Sequence, residues 1–242
     1  MSFMSRWAKA GLAAAAVAAM SLGTALAAPV ITAQVVPNPT DANLPFALEN
    51  FGSGGAPGLV SNAPFALSTG VGVTFTGNSG IYVGDVSGVT RSPFRTAGGG
   101  ADTERYLNAR AGSGNSILLD YTTLGAQSGF NLLRGSIDPN PATYNQLTFS
   151  FMGSGTQVVN GAQVAALLSS FTPGTSNVAV TITGLDLFTK ILVTASQEAF
   201  EFVPGVPVPE PGTLALFGVG LLGLGLARRR AQQGAPGAAA AA

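Results

Sequence analysis

Between residues 28 and 203 few side chains could do chemistry. The carboxylates are Asp41, Glu49, Asp85, Asp102, Glu104, Asp120, Asp138, Asp186, Glu198 and Glu201; the cations are Arg91, Arg95, Arg105, Arg110, Arg134 and Lys190. The chain has no His and no Cys. That removes Ser-His-Asp and Cys-His nucleophiles, imidazole metal sites, zinc-thiolate sites and disulfides. Glycoside hydrolysis survives, because it needs only two carboxylates about 5 to 9.5 Å apart. Asp138 and Glu201 are the pair best placed by position, but nothing in the sequence brings them together. The expectation is therefore no catalytic residue, no cofactor and no enzyme. Asp138-Pro139-Asn140 offers oxygens of the kind calcium takes, although an Asx-type turn is the stronger reading of that tripeptide; no other metal site is expected. The acids outnumber the bases in this part of the chain and no basic patch forms, which argues against nucleic acid as a partner. Arg91, Arg95, Arg105 and Arg110, interleaved with Asp102 and Glu104, read as a solvated loop with weak ion pairs.

The informative spacing lies at the end of the chain. Val208-Pro209-Glu210-Pro211 is followed by an uncharged apolar run from Gly212 to Ala227 and then by Arg228, Arg229 and Arg230. Two prolines withhold two N–H donors and keep the backbone extended, so the first part cannot join a helix or a central strand. Pro204-Gly205-Val206-Pro207 extends the same character upstream, which predicts an exposed leash of the kind a protease needs. As a helix rising 1.5 Å per residue, the apolar run would reach about 24 Å, short of a hydrocarbon core of about 30 Å. It spans only with bilayer thinning or help from its flanks. Gly218, Gly220 and Gly223 match the spacing of a dinucleotide-binding loop, but they sit inside an apolar run with no acid after Glu210, so that reading fails. Small residues there suit close approach of another helix instead. Arginines beside a span stay cytoplasmic, which places the rest of the chain across the membrane.

The N-terminus agrees. Arg6 and Lys9 precede an Ala-rich apolar stretch that ends in Thr24-Ala25-Leu26-Ala27-Ala28-Pro29. A basic start, a short apolar segment and an A-x-A site make a secretory signal peptide. Ala25 and Ala27 mark the site, with signal peptidase cutting after Ala27. The expected organisation is a signal peptide over 1–27, a body over 28–203, a Pro-rich linker over 204–211, a short transmembrane helix with its arginines over 212–230, and a disordered tail over 231–242.

The body must supply the elements that carry all this, and its patterning is that of strands. Val71, Val73 and Phe75 alternate with small or hydroxyl residues, as do Leu147, Phe149 and Phe151, and Val178, Val180 and Ile182. Ile117, Leu119 and Tyr121 face oppositely to Leu118 and Asp120, and 191–195 and 199–203 add further short strands. Period-two patterning with one wet face marks antiparallel sheet. Gly77-Asn78-Ser79-Gly80, Gly112-Ser113-Gly114-Asn115 and Pro173-Gly174-Thr175 read as turns. Only 162–169 has helical character. The predicted fold is all-β, an antiparallel β-sandwich of jelly-roll type.

The ordered set of Pro209-Glu210-Pro211, short apolar helix and Arg cluster resembles the PEP-CTERM sorting domain, a domain also known under the name of an ice-binding protein C-terminus. The resemblance implies recognition by exosortase, a membrane protease-transpeptidase that cuts near Pro-Glu-Pro and releases or attaches the body at the cell surface. The precursor would be held in the inner membrane with its body in the periplasm. The body resembles a family of exosortase-dependent surface proteins through 73–81, Tyr106-Leu107, Gly135-Ser136-Ile137-Asp138 with Tyr144-Asn145, and Ala199-Phe200-Glu201-Phe202. That implies a cell-surface or extracellular-matrix domain without catalysis. A carbohydrate-binding module that holds surface polysaccharide is the alternative, and a flat aromatic platform would mark it. The sole Trp, Trp7, lies in the signal peptide, which leaves Tyr82, Tyr106, Tyr121 and Tyr144 as polar aromatics. Ice binding is a third reading; it needs threonine ladders, and the Thr74/Thr76 and Thr181/Thr183 pairs stand isolated.

Overall fold

The computed structural model describes residues 28–37, 39, 43–96, 99–135, 137, 145–152, 155–170, 172, 177–197 and 200–207. Within them the chain forms β1 (Val30–Val35), β2 (Gly58–Ser61), β3 (Phe65–Ala66), β4 (Gly72–Thr76), β5 (Gly80–Val83), β6 (Arg105–Ala109), β7 (Ser116–Asp120), β8 (Phe130–Arg134), β9 (Gln146–Phe151), β10 (Thr156–Val159), α1 (Gly161–Ala165), β11 (Val178–Thr183), β12 (Phe188–Thr194) and β13 (Phe200–Pro204). The strands assemble into two sheets, in the orders β1-β11-β8-β13-β6-β5-β2 and β10-β9-β12-β7-β4-β3. Every pairing between named strands is antiparallel.

The alternation seen in the sequence sets the inward faces. Leu107, Leu132, Val180 and Phe202 of the first sheet and Val73, Leu119, Phe149 and Ile191 of the second belong to one buried apolar cluster. Phe149 is fully buried, with ring centroids 5.1 Å from Phe188 and 6.1 Å from Phe130, both edge-on. Burial of each such ring is worth roughly 1.5–3 kcal/mol, and edge-on geometry adds to that.

The first sheet is not wet on its outer side throughout. Tyr82, Tyr106 and Val203 form a second buried cluster there, against Leu48, Phe51, Val89 and Phe94. The chain between β5 and β6 folds over this face. The Tyr106 hydroxyl donates to the Gly84 carbonyl at 2.6 Å and lies 3.0 Å from the Thr90 hydroxyl. The expected solvated arginine loop is therefore a packed cover. Arg95 is buried and donates through both terminal nitrogens to Asp85, at 2.8 and 3.2 Å.

Two further expectations shift. The helix expected over 162–169 is only Gly161–Ala165. Asn160 and Gln163 close a capping box at its start, and the next bonds, Leu167 N to Val164 O and Leu168 N to Ala165 O, tighten the chain out of α geometry. The linker expected from Pro204 begins later. Pro204 ends β13 opposite Leu132, Gly205 N bonds Asn131 O, and Val206 N bonds Ala47 O. Pro204 fits because its carbonyl, which every proline retains, accepts from Glu49 N. The predicted turn at 77–80 is real: Gly77 has φ +66°, and a Cβ there would lie 2.1 Å from the Asn115 Oδ1 that accepts from Asn78 N.

Candidate functional site

The sorting residues Val208, Pro209, Glu210 and Pro211, the arginines Arg228, Arg229 and Arg230, and Ala25 and Ala27 all lie outside the described residues, as do Asp138 and Asn140. What the structure defines is the point from which the linker leaves. Strand β13 is central in its sheet, between β8 and β6. The chain beyond it is fastened on both sides by the bonds of Glu49, Gly205 and Val206. The described chain is thus held by backbone bonds as far as Val206, just before the Val-Pro-Glu-Pro sequence. No helix among the described residues is long and apolar enough to cross a membrane; the run 212–227 is not among them.

Of the carboxylate pair considered for glycoside hydrolysis, only Glu201 is described. It sits on β13 opposite Asn108 of β6, is 2% exposed, and accepts from the Arg91 amide at 2.9 Å. Burial pushes its pKa up to about 7, against the pull of the Arg91 amide, the Thr90 hydroxyl and the Arg134 charge. Asn108 is fully buried beside it. This arrangement locks the cover between β5 and β6 onto the sheet. Arg134, on the opposite, inner face of the sheet, holds its guanidinium 4.8 Å from the centre of the Phe200 ring. Among the described residues no group of three or more acids is placed to hold a metal ion.

Among the described residues a cleft of about 310 Å³ lies between residues 48–51 and residues 94–105. Phe51 and Phe94 give it aromatic wall, and Glu49, Asp102, Glu104 and Arg105 give it charge. Short bridges build it from distant segments: Ser53 pairs with Glu104, Gly54 N bonds Thr103 O, and Arg105 N bonds Gly52 O. Glu49 is 4% exposed; the Thr69 hydroxyl donates to its Oε1, and burial raises its pKa all the same. Its charge in turn adds to the burial that pushes the Tyr121 hydroxyl upward.

Of the four tyrosines left as polar aromatics by the sequence, Tyr144 lies outside the described residues. Tyr82, Tyr106 and Tyr121 are all buried and form no exposed platform. Phe51 and Phe94 carry no sequence signal of their own, because the cleft forms where residues 52–54 pair with 103–105. The threonine pairs lie on different sheets: Thr74 and Thr76 point outward from β4, while Thr181 lies opposite Thr32 of β1.

Comparison with curated proteins gave no match, and comparison with solved structures gave none either. A family match covers the C-terminal segment directly after the anchored exit of the body, at residues 207–230. The chain carries a PEP-CTERM protein-sorting motif there, and it is on this motif that it is an exosortase substrate, an exported protein that passes through a membrane-anchored precursor.

Proposed function

We propose that the chain is a cell-surface or extracellular-matrix protein whose body is a non-catalytic β-sandwich of jelly-roll type. The observation that carries this reading is the sorting motif at residues 207–230, set directly behind a body whose described residues are backbone-paired as far as Val206. Signal peptidase removes 1–27, the short apolar run holds the precursor in the inner membrane with the body in the periplasm, and the arginines keep its far end cytoplasmic. Exosortase then cuts near Pro209-Glu210-Pro211. An extended, proline-rich segment presents a scissile bond without unfolding the body. Expression with and without exosortase, followed by intact mass of the product, tests the reading.

A second reading has its own observation. The cleft beside Glu49 joins two aromatic walls to several polar groups in one concavity. Its volume is at the small end of the roughly 300–1,000 Å³ of ligand sites. It favours a body that binds surface polysaccharide as well as being delivered to the surface.

A further inference from the structure

We infer that the edge strand β1 is a self-association surface, on which a second copy of this chain pairs antiparallel through its own β1 about a two-fold axis at Ala33. This goes beyond the functions proposed above and does not depend on what the cleft binds.

The ladder shows which backbone groups of β1 are left over. Among the described residues β1 pairs only with β11 and ends its sheet. Continuing the register beyond Val35 and Val178 sets Val36 opposite Asn177, and Val36 N bonds Asn177 O at 2.9 Å. Hydrogen-bonded pairs alternate along an antiparallel ladder. The even-numbered residues of β1 therefore turn their N–H and C=O toward β11, while Ile31, Ala33 and Val35 turn theirs outward. The next outward positions in either direction are Pro29 and Pro37, which have no N–H. The outward donors are thus a symmetric set centred on Ala33 and closed by proline at both ends.

That symmetry selects the occupant. A second β1 laid with Ala33 opposite Ala33 puts Ile31 opposite Val35 and Pro29 opposite Pro37. Every facing pair that carries donors exchanges both of its bonds, and no donor meets a proline. A shift of two residues sets a proline against Ile31 or Val35, and a shift of one turns the inward faces of the two copies to opposite sides.

The side chains agree. β1, β9, β10, β11 and α1 contain no Asp, Glu, Lys or Arg, so two copies meet on this flank without burying a charge. Ile31, Ala33 and Val35 pack on the core yet stay half-exposed. The helix α1, which follows β10, lies beside β1, and Val30 on β1, Val158 on β10 and Leu167 just after α1 are exposed. Globular chains normally blunt such an edge. Two other edge strands are blunted: β2 is bulged between Leu59 and Ser61, and β3 is two residues long.

The experiment is sedimentation velocity of the full-length chain in nonionic detergent, for wild type, Ala33→Pro and the double variant Thr32→Lys with Gln34→Lys. Wild type is expected as a dimer, with self-association weakened about tenfold or more in both variants. Ala33→Pro removes an N–H that points away from β11; the lysines replace exposed residues, which keeps the test open where the proline variant fails to fold. Cross-linking reads the register, because the chain has no Cys. Oxidation of a mixture of Thr32→Cys and Gln34→Cys chains should give a mixed disulfide dimer at several times the yield of either chain alone, since these positions face each other across the pair. Equal yields would overturn the two-fold at Ala33. A dimer untouched by both β1 variants would place association elsewhere and overturn the inference. A monomeric wild type would overturn it too, and slow hydrogen exchange at Ile31, Ala33 and Val35 in that monomer would show the edge covered by the chain itself.

Discussion

Glu201 Oε1 accepts a hydrogen bond from the backbone amide of Arg91 at 2.9 Å, across 110 positions of sequence. One end of this contact is the last strand of the body and the other is the cover over the first sheet. Gly135 packs against both, so that a Cβ there would lie 3.0 Å from Arg91 O and 3.2 Å from Glu201 Cβ. The strand that hands the chain to the sorting segment is therefore clamped from above as well as by its neighbours in the sheet.

That clamp makes stability depend on pH. Burial holds the Glu201 carboxyl protonated to a higher pH when folded than when unfolded, with its pKa raised from the ordinary 4.5 to about 7. The native state binds the extra proton, so stability is full below about pH 4.5 and is lost as pH rises through about 7. A rise of that size corresponds to about 3 kcal/mol. Glu201→Gln should abolish this component. Denaturant titrations across that range should show wild type losing stability relative to Glu201→Gln as pH rises; parallel curves would contradict the assignment.

The Asp85–Arg95 pair predicts an asymmetry. Arg95 is the buried partner and Asp85 the half-exposed one, with side chains 6% and 43% exposed. Asp85→Asn leaves a guanidinium unpaired inside the cover, at a cost of about 3 kcal/mol. Arg95→Met leaves Asp85 in contact with water and still bonded to Ser92 N, and should cost about 1 kcal/mol or less. Hydrogen exchange of the amides between 85 and 95 should rise much more in the first variant than in the second.

Phe149 tests whether the two sheets share one core. It touches Phe188 of its own sheet and Phe130 of the other. Phe149→Ala should cost about 3–5 kcal/mol, as for other buried aromatic truncations. The same change at Phe94, on the cleft wall, should cost clearly less, since Phe94 is only partly buried.

Much of the sheet was legible because its signal is local. Val73, Phe149 and Val180 each alternate with polar or small neighbours, and each faces the core as that alternation requires. β13 was visible for the same reason, but its extension through Pro204 was not. Proline reads as an end of structure unless one knows that the 47–49 segment will accept pairing from its carbonyl side. The arginine-rich stretch misled for a related reason. Its charges look solvated in sequence, and only the fold brings Asp85 within reach of Arg95 and Glu201 within reach of Arg91. The cleft could not be read at all, because its carboxylates and phenylalanines come from segments some fifty residues apart. The sorting motif is the opposite case, a contiguous signal that needs no folding to be recognised.

The most direct measurement is the intact mass of the secreted product from hosts with and without exosortase. The expected product carries a new C-terminus near Pro209-Glu210-Pro211, has lost the apolar run and Arg228-Arg229-Arg230, and appears only where exosortase is present. Replacement of Glu210 and both flanking prolines by alanine should return the precursor to the membrane fraction. Chain that ends at Ala242 in both hosts would contradict the account.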